Sequence, residues 1–492
     1  MPASPSTARA INDRLALRLL QHEGPLTAGQ LKQLTGLSRP TVADLVERLA
    51  AAGLITVVGE SGEQRRGPNA RLYGIVADRA QLAALDVRTG GVVVLVSDLV
   101  GRVLAEASVP IGGDTGTGPA VEQAVTAVER TVKEAGADRL HTVGIGAPGL
   151  IDPATGDLRD SGGLPAWHRS LAAALHDRLP GARVTVENET NLAALAEQRE
   201  GAARDRDTFV LLWLGHGVGA AVVLDGTLRR GASGGTGEIG FLPVPGTTSL
   251  PSARDCDGGF HSLAGAAAIG RLAAQHGLPV PAPMDGPAAA SVVERAVREA
   301  EEAAAGAPGT GAPGAAQGVQ GPGRPGAEVA RPVALGVAVP GAEVVAPGVA
   351  RGEAVAPGAG APGAARRVQS VETPGAGEGR PVDWDADAPA AVRPDNQWRA
   401  GAFLHALADR IAVGAASVVA VLDPGCVVLG GEVGQAGGPV LAGLVEDRLS
   451  RMSPLVTEVR ASTLGGAAVL RGALLTARDR AQDDLFAPPD RS

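Results

Sequence analysis

Thr27–Leu49, TAGQLKQLTGLSRPTVADLVERL, is the stretch on which the N-terminal architecture turns. Thr27 is followed by Leu31 and Leu34, a spacing that predicts a short helix capped by the threonine hydroxyl and stopped at Gly36. Ser38 repeats the capping signal, and Pro40 falls in a helical first turn. Val42, Leu45, Val46 and Leu49 then supply the inward stripe of a second helix. The turn Thr35-Gly36-Leu37-Ser38 between them has helix-turn-helix spacing. Upstream, Ala10, Ile11, Leu15, Leu19 and Leu20 predict a further helix with a buried stripe, ended by Gly24-Pro25. Downstream, Gly53-Leu54-Ile55 leads into a strand to Val58, and a second strand surrounds Arg71-Leu72-Tyr73. Between the strands lies a polar turn with Arg65-Arg66-Gly67, which makes the hairpin a wing with a basic tip. The plainer alternatives are an αα-hairpin with solvated arginines, or a winged helix used for protein contact.

Charge bears on that choice. The chain of 492 residues carries 44 Lys+Arg against 53 Asp+Glu, a net −9 that taken globally argues against nucleic acid. Residues 1–76 reverse the sign, with nine basic and six acidic residues giving +3. In a major groove the helix capped by Ser38 would bring outward Ser38, Arg39, Thr41, Asp44 and Arg48 to bases and phosphates, and Arg65 and Arg66 would reach backbone or minor groove. Four Trp, one Tyr and five Phe are too few for stacking on single strands, so the expected partner is a double-stranded DNA operator.

The 70 Gly and 36 Pro approach disorder-prone levels, yet 45% of residues are hydrophobic, so the excess must be local. It is concentrated in Ala303–Pro381, 79 residues with 21 Ala, 18 Gly and 11 Pro. Ala-Pro-Gly recurs there at 307, 312, 346, 356 and 361 without the every-third glycine of collagen. The stretch reads as a flexible, disordered insertion, or else a partner-docking segment. The expected organisation is a winged helix-turn-helix over 1–78, a second domain over 79–302 and 396–486, and the insertion over 303–395. Cys256 and Cys426 cannot form a disulfide framework, so a reducing cytoplasm is the expected location. The N-terminus has no signal-peptide pattern and no run approaches 18 apolar residues, so no membrane span is expected.

Beyond Leu82 the motifs fall in a recognisable order. Leu85-Asp86-Val87 is followed by Val92–Val96, Asp98 and Gly101-Arg102-Val103-Leu104. Next come VGIGAPGLID over 143–152, VTVENETNLAALAE over 184–197 and LLWLGHGVG over 211–219. Asp225-Gly226, Gly237-Glu238-Ile239-Gly240, Leu422-Asp423-Pro424 and Val428-Leu429-Gly430-Gly431 complete the set. This order resembles the ROK family over most of residues 80–300 and 395–480. With the N-terminal helices, the chain is identified as a ROK-type transcriptional regulator. The resemblance implies an actin-like, ribonuclease H-like two-lobed α/β domain with ligand between the lobes. Independently, apolar runs at 92–96, 209–214 and 418–422 read as strands alternating with Ala-rich helical patterns, which also favours α/β architecture.

Three departures from the family's kinase members bear on activity. Arg88 stands in a glycine slot of the first phosphate loop, Glu189 replaces the catalytic-base Asp, and Phe241 replaces a histidine. One extra methylene moves a carboxylate by about 1 Å, enough to cost about a hundredfold in rate. The family's zinc cluster is reduced to Cys256 and His261, too few for a four-ligand site, so neither metal nor cofactor is expected. Gly149, Asn188, Glu189 and Glu238 remain at the ligand-binding positions that the resemblance implies. The reading is a homodimeric DNA-binding repressor of sugar or related metabolism genes. Its sensor domain would take a sugar or sugar derivative without catalysis. A sugar kinase with a DNA-binding appendage and a ligand-independent DNA binder are the alternatives.

Overall fold

The computed structural model describes residues 5–61, 70–159, 164–247, 249–252, 257–306 and 395–486. Arg65, Arg66, Cys256 and residues 307–394 lie outside the described residues; of the insertion expected over 303–395, residues 303–306 end one helix and Asp395 starts another.

The head is built by local signals that its sequence carries in full. After α1 (Pro5–Glu23) and a short β1 (Leu26–Thr27), Thr27 starts α2 (Ala28–Thr35) with a reciprocal capping box. Thr27 Oγ1 accepts from the Gln30 amide at 3.2 Å and Gln30 Oε1 accepts from the Thr27 amide at 2.9 Å. Gly36, at φ 68°, ends the helix by donating to the Lys32 carbonyl at 3.0 Å. Ser38 caps α3 (Arg39–Ala51), whose Val42, Leu45, Val46 and Leu49 are all buried as expected. β2 (Ile55–Glu60) and β3 (Arg71–Ile75) pair antiparallel as the wing, and β1 adds to β3. Three expected inward positions are corrected. Ile11 and Leu15 are 58% and 40% exposed, and Ala16, Leu17 and Leu20 form the buried stripe of α1. Leu34 is exposed too, because the two-turn α2 buries only Leu31.

The remainder is two sheets with the same strand plan. β4 (Gln81–Arg88), β5 (Gly91–Asp98), β6 (Val103–Pro110), β7 (Thr142–Ala147) and β8 (Arg183–Asn188) assemble in the order β6-β5-β4-β7-β8. The β4–β5–β6 meander is antiparallel, whereas β7 and β8 add in parallel. α4 (Thr117–Glu134) and α5 (Trp167–Arg178) share one buried cluster with this sheet. α6 (Glu189–Glu200) follows β8 directly. β9 (Phe209–Leu214), β10 (Val218–Leu224) and β11 (Thr227–Arg229) begin the second sheet. After α7 (His261–Ala264), α8 (Ala266–Gln275), α9 (Gly286–Gly306) and α10 (Asp395–Leu422), β12 (Cys426–Gly430) joins it in parallel. α11 (Gly431–Met452) and β13 (Glu458–Ala461) follow, giving β11-β10-β9-β12-β13. The repeated plan is the two-lobed α/β architecture that the motif order implied.

The expected strand at 418–422 is instead the end of α10, and the strand is Cys426–Gly430. Five consecutive apolar residues do not separate a buried helix from a strand. By length and composition Trp398–Leu422 could cross a membrane, although it holds no run of 18 apolar residues. Here Phe403, Leu407 and Ile411 are wholly buried and α10 packs on α9 and α11.

The last helix, α12 (Ala468–Leu485), returns to the first lobe and lies on β4, β7 and α6. The approach is backbone to backbone. A Cβ at Gly472 would collide with the Leu192 carbonyl oxygen, and one at Gly144 with that of Ala473. One buried cluster therefore runs from Leu17 and Leu20 of the head through Leu82 and Leu99 to Ala477 and Phe486. Replacing Gly472 by Ala should lower stability by about 1–3 kcal/mol through overpacking. A thermal melt indistinguishable from that of the parent chain would contradict this placement of α12.

Candidate functional site

Two groups of residues named from sequence are held by different means. On α3, Ser38 Oγ lies 2.8 Å from Thr41 Oγ1 and accepts from the Thr41 amide at 3.4 Å, so both hydroxyls serve the cap. Asp44 is exposed and ion-paired to Arg48, which also reaches Asp13 of α1 at 2.6 Å. Both pairs favour the charged guanidinium and raise its pKa, the Asp13 hydrogen bond most strongly. Arg48 thus ties α3 to α1, and its charge is already answered. Arg39 differs, being exposed at the first position of α3 with no ion pair among the described residues.

The second group converges where β8 turns into α6. Asn188 is the N-cap: its Oδ1 accepts from the amides of Thr190 and Asn191 at 2.9 and 3.2 Å. Its Nδ2 donates to the Gly149 carbonyl at 3.1 Å and to Glu189 Oε2 at 2.8 Å. The side chain is saturated inside the protein, so it fixes Gly149 and Glu189, and would meet a ligand only by exchanging one of these bonds. Gly149 needs no Cβ at its φ of 107°. The Gly237 carbonyl accepts from the Ala220 amide at 2.8 Å, and a Cβ on Gly237 would strike the Ala220 carbonyl, which fixes Glu238 beside β10.

Burial pushes the Glu189 carboxyl up to about 8, assisted by the negative charges of Glu238, Asp86 and Glu432. Asp86, on β4, is 3% exposed and is pushed up by burial against the opposing pull of Arg88. Arg88 Nε donates to Asp86 at 2.8 Å, and its Nη2 reaches the Gly466 carbonyl at 3.2 Å. The arginine expected only to crowd a glycine slot therefore joins the first sheet to the turn that starts α12. Nearby, Glu187 accepts from Arg230 Nε at 2.6 Å and from Asn191 Nδ2 at 3.0 Å. A cavity of about 220 Å³ opens there, lined by Ile145, Asp152, Glu187, Leu192, Arg230 and Thr476 and by none of the four expected ligand residues.

Sequence reasoning missed Arg230, the bridging role of Arg88, and Glu432 in the first turn of α11. For Glu432 a signal existed, an acidic residue directly after the strand-to-helix pair Gly430-Gly431. The family's zinc does not fit this chain, since Phe241, 40% exposed, offers no ligand atom where a histidine would stand.

The raised Glu189 value has a thermodynamic consequence. The folded chain holds a proton that the unfolded chain releases near the ordinary carboxyl value of 4.5. That contribution to stability is present below 4.5 and is lost as pH rises through about 8. The melting temperature of Glu189→Gln, which has no proton to lose, should gain on that of the parent chain as pH rises across this window. Parallel pH profiles for the two would contradict the assignment.

Comparison with known proteins agrees with this geometry. The ROK family pattern matches residues 83–305 and 389–480, and the MarR family pattern matches residues 11–67. The N-acetylglucosamine repressor of Escherichia coli O157:H7 is 27% identical over 246 residues, 48% of this chain and 58% of that protein. The xylose repressor of Caldicellulosiruptor bescii is 26% identical over 240 residues, covering 48% and 59%. The chain thus spans less than two thirds of the length of these curated relatives. Among solved structures, a ROK family transcriptional regulator described as a homologue of the E. coli MLC protein aligns with TM-score 0.62 and 17% identity, covering 97% of this chain and 98% of that one. A ROK hexokinase from Thermus thermophilus aligns with TM-score 0.51 and 23% identity, covering 82% and 99%. The chain belongs to the ROK family and carries a MarR-type winged helix at its N-terminus.

Proposed function

We propose that this member of the ROK family is a sequence-specific DNA-binding transcriptional regulator, a cytoplasmic repressor of sugar-related genes whose ROK domain senses and does not phosphorylate. The observation that carries the reading is the joining of a locked helix-turn-helix, with Arg39 uncommitted at the start of α3, to a sugar-kinase-like domain. The named repressors among its relatives support the sign of regulation. Ser38, Arg39 and Thr41 would meet the operator, with Arg39 providing the free charge. Arg48 and Asp44 would hold the helix in place, and Arg65 and Arg66 would act from the wing. As a homodimer, the protein would set two recognition helices on half-sites about 34–36 Å apart or a multiple of that spacing.

The effector would be a sugar or sugar derivative held near Gly149, Asn188, Glu189 and Glu238. A general base must be ionised to accept a proton, and a group titrating near 8 is mostly neutral at pH 7. This argues against Glu189 taking a sugar hydroxyl proton efficiently. Coupling to the head has a direct path in α12. Its start lies beside Gly466, which accepts from Arg88, while its far end holds α1 through Asp483–Arg14 at 2.8 Å and Gln482–Gln21 at 2.9 Å. A ligand that shifts Arg88 would act on the head through this one rigid element.

Arg39→Ala should weaken binding to a selected operator roughly ten- to a hundredfold, about 1–3 kcal/mol, measured by fluorescence anisotropy at fixed salt. Unchanged affinity would remove α3 from the interface. In the enzyme arm, the full chain should release no ADP above background when offered ATP and a panel of hexoses. Turnover that Glu189→Gln abolishes would establish the kinase reading instead.

A further inference from the structure

Beside the second sheet lies a cavity of about 450 Å³ that the regulator reading does not use. Arg271 and Gln275 of α8, Arg410 of α10, Ser262 of α7 and Thr247 line it, and none of Gly149, Asn188, Glu189 and Glu238 does. Arg410 is half-buried, and its Nη1 donates to the carbonyls of Leu263 and Ala268 at 3.4 and 3.3 Å. These are long bonds, and they leave Nε and Nη2 without a partner among the described residues. Arg271 is exposed, and neither guanidinium has an ion pair among the described residues. Burial first, and the neighbouring Arg271 charge second, hold the Arg410 guanidinium below its ordinary value. Two like charges facing one cavity are costly alone and favourable around an anion. Asp257 is the one carboxylate on the described lining; it is exposed, and its charge is not among those acting on Arg410.

The wall is built in advance and carries neutral donors. A Cβ on Gly258 would strike the Ser249 carbonyl oxygen, and Thr247 Oγ1 donates to that same carbonyl at 3.3 Å. Ser262 Oγ accepts from the Gly258 amide at 2.8 Å, which leaves its own proton to donate. We infer that this cavity is a second ligand site, for a small metabolite with two or more negative oxygens, a phosphate ester or a polycarboxylate. Arg410 and Arg271 grip the oxygens, because a guanidinium fork matches carboxylate and phosphate alike. Ser262 and Gln275 take the ligand's remaining polar groups, and the volume is that of a metabolite site. The Phe260 amide donates to the Leu242 carbonyl at 2.8 Å, so the wall is bonded to the segment that follows Glu238. Occupancy is measurable without DNA or sugar, so the inference stands apart from the regulator reading.

The probes are inorganic phosphate and citrate, titrated by calorimetry at constant ionic strength into the full chain, Arg271→Gln, Arg410→Gln and Arg130→Gln. The parent chain should take one equivalent of at least one probe, phosphate alone marking a phosphoryl site and citrate a polycarboxylate site. Arg271→Gln and Arg410→Gln should each weaken that binding at least about tenfold. Arg130→Gln removes the same charge from an exposed position on α4 and should leave the affinity unchanged. Far-UV circular dichroism reports whether each variant is folded. Arg271→Gln still tests the site if loss of the bonds to Leu263 and Ala268 unfolds the Arg410 variant. Binding of neither probe at millimolar concentration, binding untouched by Arg271→Gln, or equal weakening by Arg130→Gln would overturn the inference.

Discussion

The contact on which the rest of the molecule depends is the return of α12 to the first lobe. The chain leaves that lobe at α6, builds the second sheet and its helices, and comes back to lay Gly472 on the Leu192 carbonyl and the Ala473 carbonyl on Gly144. Because both approaches are backbone to backbone, neither side can give way without shifting a strand or a helix. The same helix holds α1 through Arg14 and Gln21. Head, first lobe and the turn beside Arg88 therefore share one rigid part. A sensor needs such a part, since differential contacts at one end can alter the other only through an element common to both.

The second constraint is electrostatic. Burial and the charges of Glu238, Asp86 and Glu432 all oppose ionisation of Glu189, and among the described residues Arg88 pairs directly with Asp86. A kinase site must place positive charge and bare amides around a transferring phosphoryl group. This site offers carboxylates, a Glu189 whose ionisation burial opposes, and an arginine already engaged, none of which supplies that positive charge. Structural likeness to a ROK hexokinase establishes the fold and leaves chemistry to these residues.

What could be read from sequence followed the range of the forces involved. The caps at Thr27 and Ser38 and the left-handed Gly36 are decided within four residues, and they were legible. Which stripe of α1 faces inward depends on where α12 and the sheet lie, so Ile11 and Leu15 were misassigned in favour of Ala16 and Leu17. Val418–Leu422 looked like a strand because five apolar residues carry no period, and only α9 and α11 make it helix. At the site, Asn188 was identified by motif, but its saturation by Gly149 and Glu189 is a tertiary fact. Glu432 was missed because the glycines that crowd its carboxylate, Gly215 and Gly286, lie far away in the chain.

The N-terminal head is proposed to read duplex DNA as part of a symmetric regulator. Its most direct test is retention of genomic fragments by the full-length protein at physiological salt, followed by sequencing. The account predicts one enriched motif with two-fold symmetry and half-sites a helical turn or a multiple apart, lying near genes of sugar metabolism. Fragments retained without a common motif, at a level set only by length and salt, would contradict it.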